Sequence, residues 1–321
     1  VPAAEQLRKS PHRDVIDAVI QQVSPGSALA NLRRMKGGLG CGMHELTVLT
    51  TDGKRDKFVI RRYSDQILSE YPDVVERELT FLRLLESTPV NAPRVIYSDS
   101  TGSLLGVPGM IQSRVRGRSI LSPTNLNNWL DELARGLATL HEIDISNINL
   151  EFPGDHDQSA RDHHNSAGQI KRTREHAFGK EAWDLCEQHW PTSSEKVLCH
   201  TDYWPGNTLW WRGKLSGIVD WEHPGVGDPT TDVSYCRQDL AILFGMDAAD
   251  RFLDTYESIR GIRLATVPFW NLISGLRAMP DPSMWLTGWV ELGRTDMTAD
   301  LVRKRHNEFV KQAMTKVRSD T

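Results

Sequence analysis

The hydrophobic periodicity of this chain changes once, near Arg116-Gly117, and that change limits the fold more than any other feature. Ahead of it the apolar residues come in short runs. Segments 28–36, 43–51 and 56–63 are expected strands. Asp52-Gly53 between the last two signals a hairpin, because both central residues of a tight type I′ turn need positive φ. Strands are also expected near 94–99 and 107–114. A helix from about Pro72 to Glu86 separates the two groups, with Val75, Leu79, Leu82 and Leu85 as its apolar stripe. Val15, Ile16, Val19, Ile20 and Val23 predict an amphipathic helix over 13–23, ended by Ser24-Pro25-Gly26. Past Gly117, Leu126, Leu130, Leu133, Leu137 and Leu140 step by four and three, the spacing of a core helix. Further helices are expected around 169–189, 229–245, 247–260, 267–278 and 298–317. Segment 151–168, with His156, His163 and His164, is expected to be a loop. Residues 197–220 form a strand, a tight loop and a hairpin turning at Arg212-Gly213-Lys214. The class is α+β, with strands gathered at one end of the chain and helices at the other.

Composition agrees with a division at that point. Residues 1–115 carry 15 Lys+Arg against 13 Asp+Glu, and residues 116–321 carry 23 against 29; every Trp lies at or after Trp129. With 321 residues, 39% apolar and 25% charged, the chain is neither disordered nor a coiled coil. A net charge of −4 gives no basic field for nucleic acid. No apolar run approaches the roughly 20 residues of a membrane span, and residues 1–13 lack the apolar centre of a secretory signal. The four cysteines, Cys41, Cys186, Cys199 and Cys236, form no CxxC pair, against a disulfide scaffold or a structural zinc site. The expectation is a cytoplasmic enzyme, monomeric by default, with no nucleic-acid or membrane partner.

The chemistry is concentrated in 197–232. His200-Thr201-Asp202-Tyr203-Trp204-Pro205-Gly206-Asn207 is followed by Ile218-Val219-Asp220-Trp221-Glu222, Gly227-Asp228-Pro229 and Asp232. Phosphoryl transfer needs little covalent work from a protein. It needs Mg²⁺ held on the phosphates and a hydroxyl oriented and relieved of its proton. Magnesium takes oxygen ligands and keeps several waters, so one carboxylate and one amide oxygen suffice. Asp220, ending an apolar strand, offers the carboxylate, and Asn207, before the opposite strand of the hairpin, offers the amide. Asp202 lies in a tight Pro-Gly loop from which it can point at a hydroxyl.

H-x-D-x-x-x-x-N followed by an apolar strand ending in Asp resembles the catalytic loop and metal-binding Asp of the protein-kinase-like fold. The Asp-Trp-Glu form, with Gly-Asp-Pro and Asp232 downstream, is similar to the aminoglycoside phosphotransferase and choline kinase family rather than to protein kinases. The resemblance implies a two-lobed protein-kinase-like fold. Residues 1–115 would be a small antiparallel-sheet N-lobe that binds nucleotide, and residues 116–321 a larger, mainly helical C-lobe for catalysis and acceptor binding. It implies Asp202 as the base or hydroxyl-orienting carboxylate, and Asn207 and Asp220 as Mg²⁺ ligands. Arg61 would contact the ATP (or GTP) phosphates and pair with Glu78. Backbone N–H groups of the glycine loop, Gly38, Gly40 and Gly42 among them, would cover the phosphates. His200 and Asp232 would brace the catalytic loop. Glu222 lies near the metal site without an assigned role.

Two residues depart from the family pattern. Arg61 stands where most kinases carry Lys, and a planar guanidinium fork keeps the phosphate role with changed geometry. Thr201 stands where this branch usually has Gly. The resemblance implies a hydroxylated small-molecule acceptor: an aminoglycoside-like antibiotic, choline or another metabolite. Ten acidic residues against five basic over 200–260 make a cationic one plausible. The alternatives are a kinase-fold binding module that no longer catalyses, and a protein kinase, against which no D-F-G or A-P-E segment follows Asp220. Gly37 to Gly42 read as a dinucleotide fingerprint would need to open a helix, whereas here the glycines feed a strand. Of the aromatic residues, Trp285 and Trp289 are expected to pack together, at least one of Trp210 and Trp211 to be core, and Trp204 to pack or to wall the acceptor pocket.

Overall fold

The computed structural model describes residues 4–35, 40–146, 155–192 and 195–319, and it divides into two compact units. The first comprises Val1–Arg116 with Gly217–His223, the second Gly117–Ser216 with Pro224–Thr321.

The first unit is built on an antiparallel sheet of β1 (Ala28–Arg34), β2 (Cys41–Leu49), β3 (Arg55–Tyr63), β4 (Val95–Asp99) and β5 (Gly109–Ser113), in the order β1-β2-β3-β5-β4. The β2–β3 hairpin turns over Thr50–Lys54; Gly53 takes a positive φ of 80° but Asp52 does not, so the tight type I′ turn expected at Asp52-Gly53 is replaced by a longer one closed by the Gly53 N–H on the Thr50 carbonyl. Its register sets Met43 opposite Arg61 and Cys41 opposite Tyr63, and β5 sets Met110 on the other side of Arg61. Arg61 is therefore carried by a central strand. After the short α1 (Ala4–Leu7) comes α2 (Arg13–Val23), which lays Ile16, Val19 and Ile20 against Leu46, Val48, Ile60 and Ile111, all buried. A short helix, α3 (Asp65–Glu70), is capped by Ser64 and had no signal in the periodicity. The helix expected from Pro72 begins at Val74 instead, as α4 (Val74–Leu85).

In the second unit α5 (Leu126–His141) is the leucine-stepped helix, and its apolar stripe is buried. The expected loop over 151–168 is a correction. His156–His164 form α6, whose N-cap Asp155 accepts from the N–H groups of Asp157 and Gln158. The segment is too polar for a hydrophobic period to show, and capping and one buried contact sustain it: the ring of His164 stacks at 3.6 Å on Trp183. The single helix expected over 169–189 is two, α7 (Ala167–Arg174) and α8 (Gly179–Gln188). They meet where a Cβ on Gly179 would fall 1.8 Å from the Thr173 carbonyl oxygen. Strands β6 (Val197–Cys199), β7 (Thr208–Trp211), β8 (Lys214–Ile218) and β9 (Gly225–Gly227) follow. β6 pairs with β9 and β7 with β8. Trp210 is buried and Trp211 exposed, as the alternation on that hairpin requires. The helices α9 (Pro229–Phe244), α10 (Met246–Arg260), α11 (Val267–Arg277), α12 (Leu286–Glu291) and α13 (Ala299–Ser319) complete the unit. Only the short α12 was unforeseen. Trp285 and Trp289 meet edge to face at 6.2 Å. No helix among the described residues is long and apolar enough to cross a membrane.

Candidate active site

In the first unit the candidate residues converge on Arg61, whose side chain is 2% exposed. Its Nε lies 3.3 Å from Glu78 Oε2. One terminal nitrogen, Nη2, reaches Asp220 Oδ1 at 2.5 Å and is also in contact with Glu222 Oε1. Glu78, on the buried face of α4, accepts from the Tyr63 hydroxyl and, at 3.1 Å, from Gln112 Nε2. Neighbouring Glu76 is exposed and takes no part in this cluster. Burial is the largest influence on Glu78 and raises its pKa, against the pull of Arg61. Burial would lower the Arg61 pKa, but Glu78 and Asp220 hold it well above its ordinary value. The Cys41 thiol donates to Glu222 Oε1 at 3.1 Å. Three carboxylates thus share one guanidinium, an arrangement short of positive charge. Asp220 sits just past β8 with φ 73°, a conformation uncommon outside glycine that turns its carboxylate back toward β3.

Of the glycine loop, Gly38 lies outside the described residues. Gly40 and Gly42 have packing reasons of their own. A Cβ on Gly40 would meet Ile67 at 2.4 Å, and one on Gly42 would meet the Leu7 carbonyl oxygen at 2.3 Å.

In the second unit the loop His200–Asn207 is held from below by Asp232. One carboxylate oxygen accepts the His200 N–H at 2.6 Å and the other the Thr201 N–H at 2.7 Å. Burial works against ionisation of Asp232, yet hydrogen bonding and charge from His141, with His200 adding to them, hold its pKa below the ordinary carboxylate range. His141, which sequence reasoning passed over, completes the brace: Nε2 meets Asp232 at 3.2 Å and Nδ1 meets the Tyr256 hydroxyl at 2.7 Å. His141, Cys199 and Asp232 form the one His/Cys/Asp/Glu group among the described residues close enough to hold a metal. The hydrogen bonds of that brace account for it. Thr201 adopts φ 65°, where a β-branched side chain is strained and Gly is not. Asn207, 7% exposed, donates through Nδ2 to Asp202 Oδ2 at 2.8 Å and to the Asp202 carbonyl at 3.0 Å. Its amide nitrogen is spent on Asp202, so its oxygen is the atom it offers a cation. Trp204 packs against the cluster of Leu121, Ile242, Leu243 and Trp289.

Residues 38–266 match the phosphotransferase enzyme family. The chain belongs to that family. Solved structures agree on a kinase-like α+β fold. A protein of Ralstonia eutropha, assigned as an aminoglycoside phosphotransferase, superposes with a TM-score of 0.67 at 19% identity, over 96% of this chain and 98% of that one. A macrolide 2′-phosphotransferase of Brachybacterium faecium gives a TM-score of 0.56 at 19% identity, over 90% and 94%. An aminoglycoside phosphotransferase solved with GDP and kanamycin gives 0.56 at 18%, over 95% and 97%. In sequence, the phosphotransferase is 26% identical over 202 residues to a probable acyl-CoA dehydrogenase of Arabidopsis thaliana, covering 56% of this chain and only 24% of that protein.

Two sets of residues around these carboxylates escaped sequence reasoning. Tyr63 and Gln112 line the Glu78 carboxylate from β3 and β5, and neither had been singled out for that role. Tyr235 and Asp239 follow Asp232 at helical spacing on α9, a signal that was present in the periodicity.

Proposed function

We propose that this phosphotransferase moves the γ-phosphoryl group of ATP or GTP to a hydroxyl of a small molecule. The observation that carries the reading is the Asp202–Asn207 hydrogen bond inside a loop braced by Asp232. It aligns a carboxylate that can receive the hydroxyl proton as the nucleophile attacks. Arg61, kept charged by Glu78, would contact the phosphates, and the N–H groups of the loop containing Gly38, Gly40 and Gly42 would cover them. The residues fit a magnesium ion: Asp220 and the Asn207 amide oxygen are hard oxygen donors, and the carboxylates around Arg61 outnumber its charge. When bound, the ion would neutralise charge on the phosphates. The first unit is then the nucleotide lobe and the second the acceptor lobe, in a monomeric cytoplasmic enzyme. ADP, ATP and GDP complexes of the structural relatives support a nucleotide co-substrate.

Streptomycin and kanamycin in those complexes support a hydroxylated acceptor of that kind. The Arabidopsis relative favours a second acceptor, a hydroxyl on an acyl chain. ADP release with Mg·ATP over a panel of both classes tests the reading. Asp202→Ala should lower kcat by about 10²–10⁴-fold while nucleotide still binds. Full turnover by that variant would exclude Asp202 as the base. Nucleotide binding with no ADP release from any acceptor would mark a non-catalytic binding module instead.

A further inference from the structure

Side chains alternate along a strand, so β3 sends Arg61 and Arg62 to opposite faces. Arg61 goes to the carboxylates already described. Arg62 goes to α1 and the residues after it: its Nη2 donates to the Leu7 carbonyl at 2.8 Å and to the Lys9 carbonyl at 3.0 Å. It is 8% exposed and has no ion-pair partner among the described residues. A buried guanidinium without a counter-charge is costly, and here two backbone carbonyls offset that cost. They lie at the end of a short helix, where C=O groups lack intrahelical partners. The Arg62 backbone pairs with Gly42 across the β2–β3 ladder. Gly42 in turn abuts the same Leu7, which is buried: a Cβ on Gly42 would lie 2.3 Å from the Leu7 carbonyl oxygen and 2.7 Å from the Leu7 Cβ. Gly42, Arg62 and Leu7 thus close a three-way contact at the start of β2. Two residues earlier, Gly40 is fixed by the α3 region. Its carbonyl accepts the Ser64 N–H at 3.1 Å, and Ile67 leaves no room for a Cβ.

We propose that Arg62 is a positioning residue for the nucleotide: it holds Leu7 of α1 against Gly42, so that the segment Gly40–Gly42 keeps the backbone path that covers the phosphates. This rests on the first unit binding nucleotide through that glycine loop. Recognition by backbone N–H groups depends on where the backbone runs, because an N–H cannot turn toward its ligand as a side chain can. Arg62 also follows Arg61 directly, so β3 carries any shift of α1 to the residue that contacts the phosphates. If docking of α1 favours nucleotide, linkage requires nucleotide to favour docking of α1 by the same factor. The plain alternative is that α1 only covers apolar surface. Docking for stability alone would lower the Tm of an Arg62 variant and leave its nucleotide affinity unchanged.

Hydrogen exchange of the unaltered protein, read by mass spectrometry with and without saturating Mg·ATP, tests the coupling. Peptides covering residues 4–10 should exchange more slowly with nucleotide bound. In a binding titration Arg62→Gln should weaken Mg·ATP by about five- to a hundred-fold, and nucleotide should no longer slow exchange over 4–10 in that variant. Arg62→Lys keeps donors for both carbonyls and should recover part of each effect. In turnover assays of Arg62→Gln the rise in nucleotide KM should exceed the fall in kcat. Exchange over 4–10 that ignores Mg·ATP overturns the proposal and needs no variant to fold. An Arg62→Gln affinity equal to that of the unaltered protein overturns it as well. Absence of Mg·ATP binding by the unaltered protein sinks the nucleotide reading and this proposal together, whereas binding without the exchange response sinks only the role of Arg62.

Discussion

Arg61 shows how one side chain can be fixed by its neighbours rather than by its own propensity. Its aliphatic stem is buried in a central strand and its charge is divided among Glu78, Asp220 and Glu222. Lysine has one ammonium and cannot reach Glu78 from one nitrogen and the other two carboxylates from another, which gives the departure at this position a geometric reason. Glu78→Ala would leave the Tyr63 hydroxyl and Gln112 Nε2 without their shared acceptor, and Arg61 without its Glu78 ion pair, in the interior. Breaking one partner of a buried pair costs about 3–5 kcal/mol, so the urea midpoint of this variant should fall sharply. A midpoint within experimental error of the parent would mean that the cluster contributes nothing net. Thr201 is the converse case. Its backbone conformation is one that glycine adopts freely, at a cost of about 1–3 kcal/mol for other residues, and the two Asp232 hydrogen bonds hold it there.

At the scale of elements, α5 and α13 give predictions whose sign the sequence alone would get wrong or miss. Gly136 lies mid-helix in α5, where alanine ordinarily stabilises by about 1 kcal/mol. Here a Cβ would lie 2.2 Å from Leu215 Cδ2 and 2.9 Å from the Tyr203 hydroxyl, itself tied to the Leu133 carbonyl. Gly136→Ala should therefore destabilise by about 1–3 kcal/mol, visible as a lowered Tm. His306 on α13 is fully buried and meets the Gly275 carbonyl of α11 through Nε2 at 3.0 Å. Burial lowers its pKa from 6.5 to about 4. Between those values the unfolded chain takes up a proton that the native chain refuses. Stability present above pH 6.5 is thus lost as pH falls toward 4, by about 3 kcal/mol for this one group. His306→Gln should flatten the Tm–pH curve across that window, and an unchanged slope would show that His306 does not titrate on unfolding. The hydrophobic period found most of the long helices because each buries a stripe. It missed α6, whose cap and His164–Trp183 stack involve no repeating apolar position.

For the molecule as a whole, nucleotide and metal should act as stabilising ligands. At a hundredfold excess over Kd, Mg·ATP or Mg·GTP should add about 2.7 kcal/mol, a Tm rise of a few degrees. Asp220→Ala should remove the Mg²⁺-dependent part of that rise, and the larger of the two shifts identifies the preferred base. A shift indifferent to both Mg²⁺ and Asp220 would move the metal site elsewhere.

Sequence by itself determined the α+β class, the strand and long-helix positions, and the family, because hydrophobic period and the spacing of Asp202, Asn207 and Asp220 are properties of a line of residues. The Arg61–Glu78 pair was legible only through that family pattern. Tertiary structure alone decided that Glu222 and Cys41 join it, that His141 and Tyr256 stand behind Asp232, and that Arg277 lies on Tyr235. Those hydrogen bonds join residues from 91 to 181 positions apart, and the Arg277–Tyr235 stack joins separate helices. What fixes them is which buried polar groups find partners once the helices and strands have packed, and no local pattern carries that information.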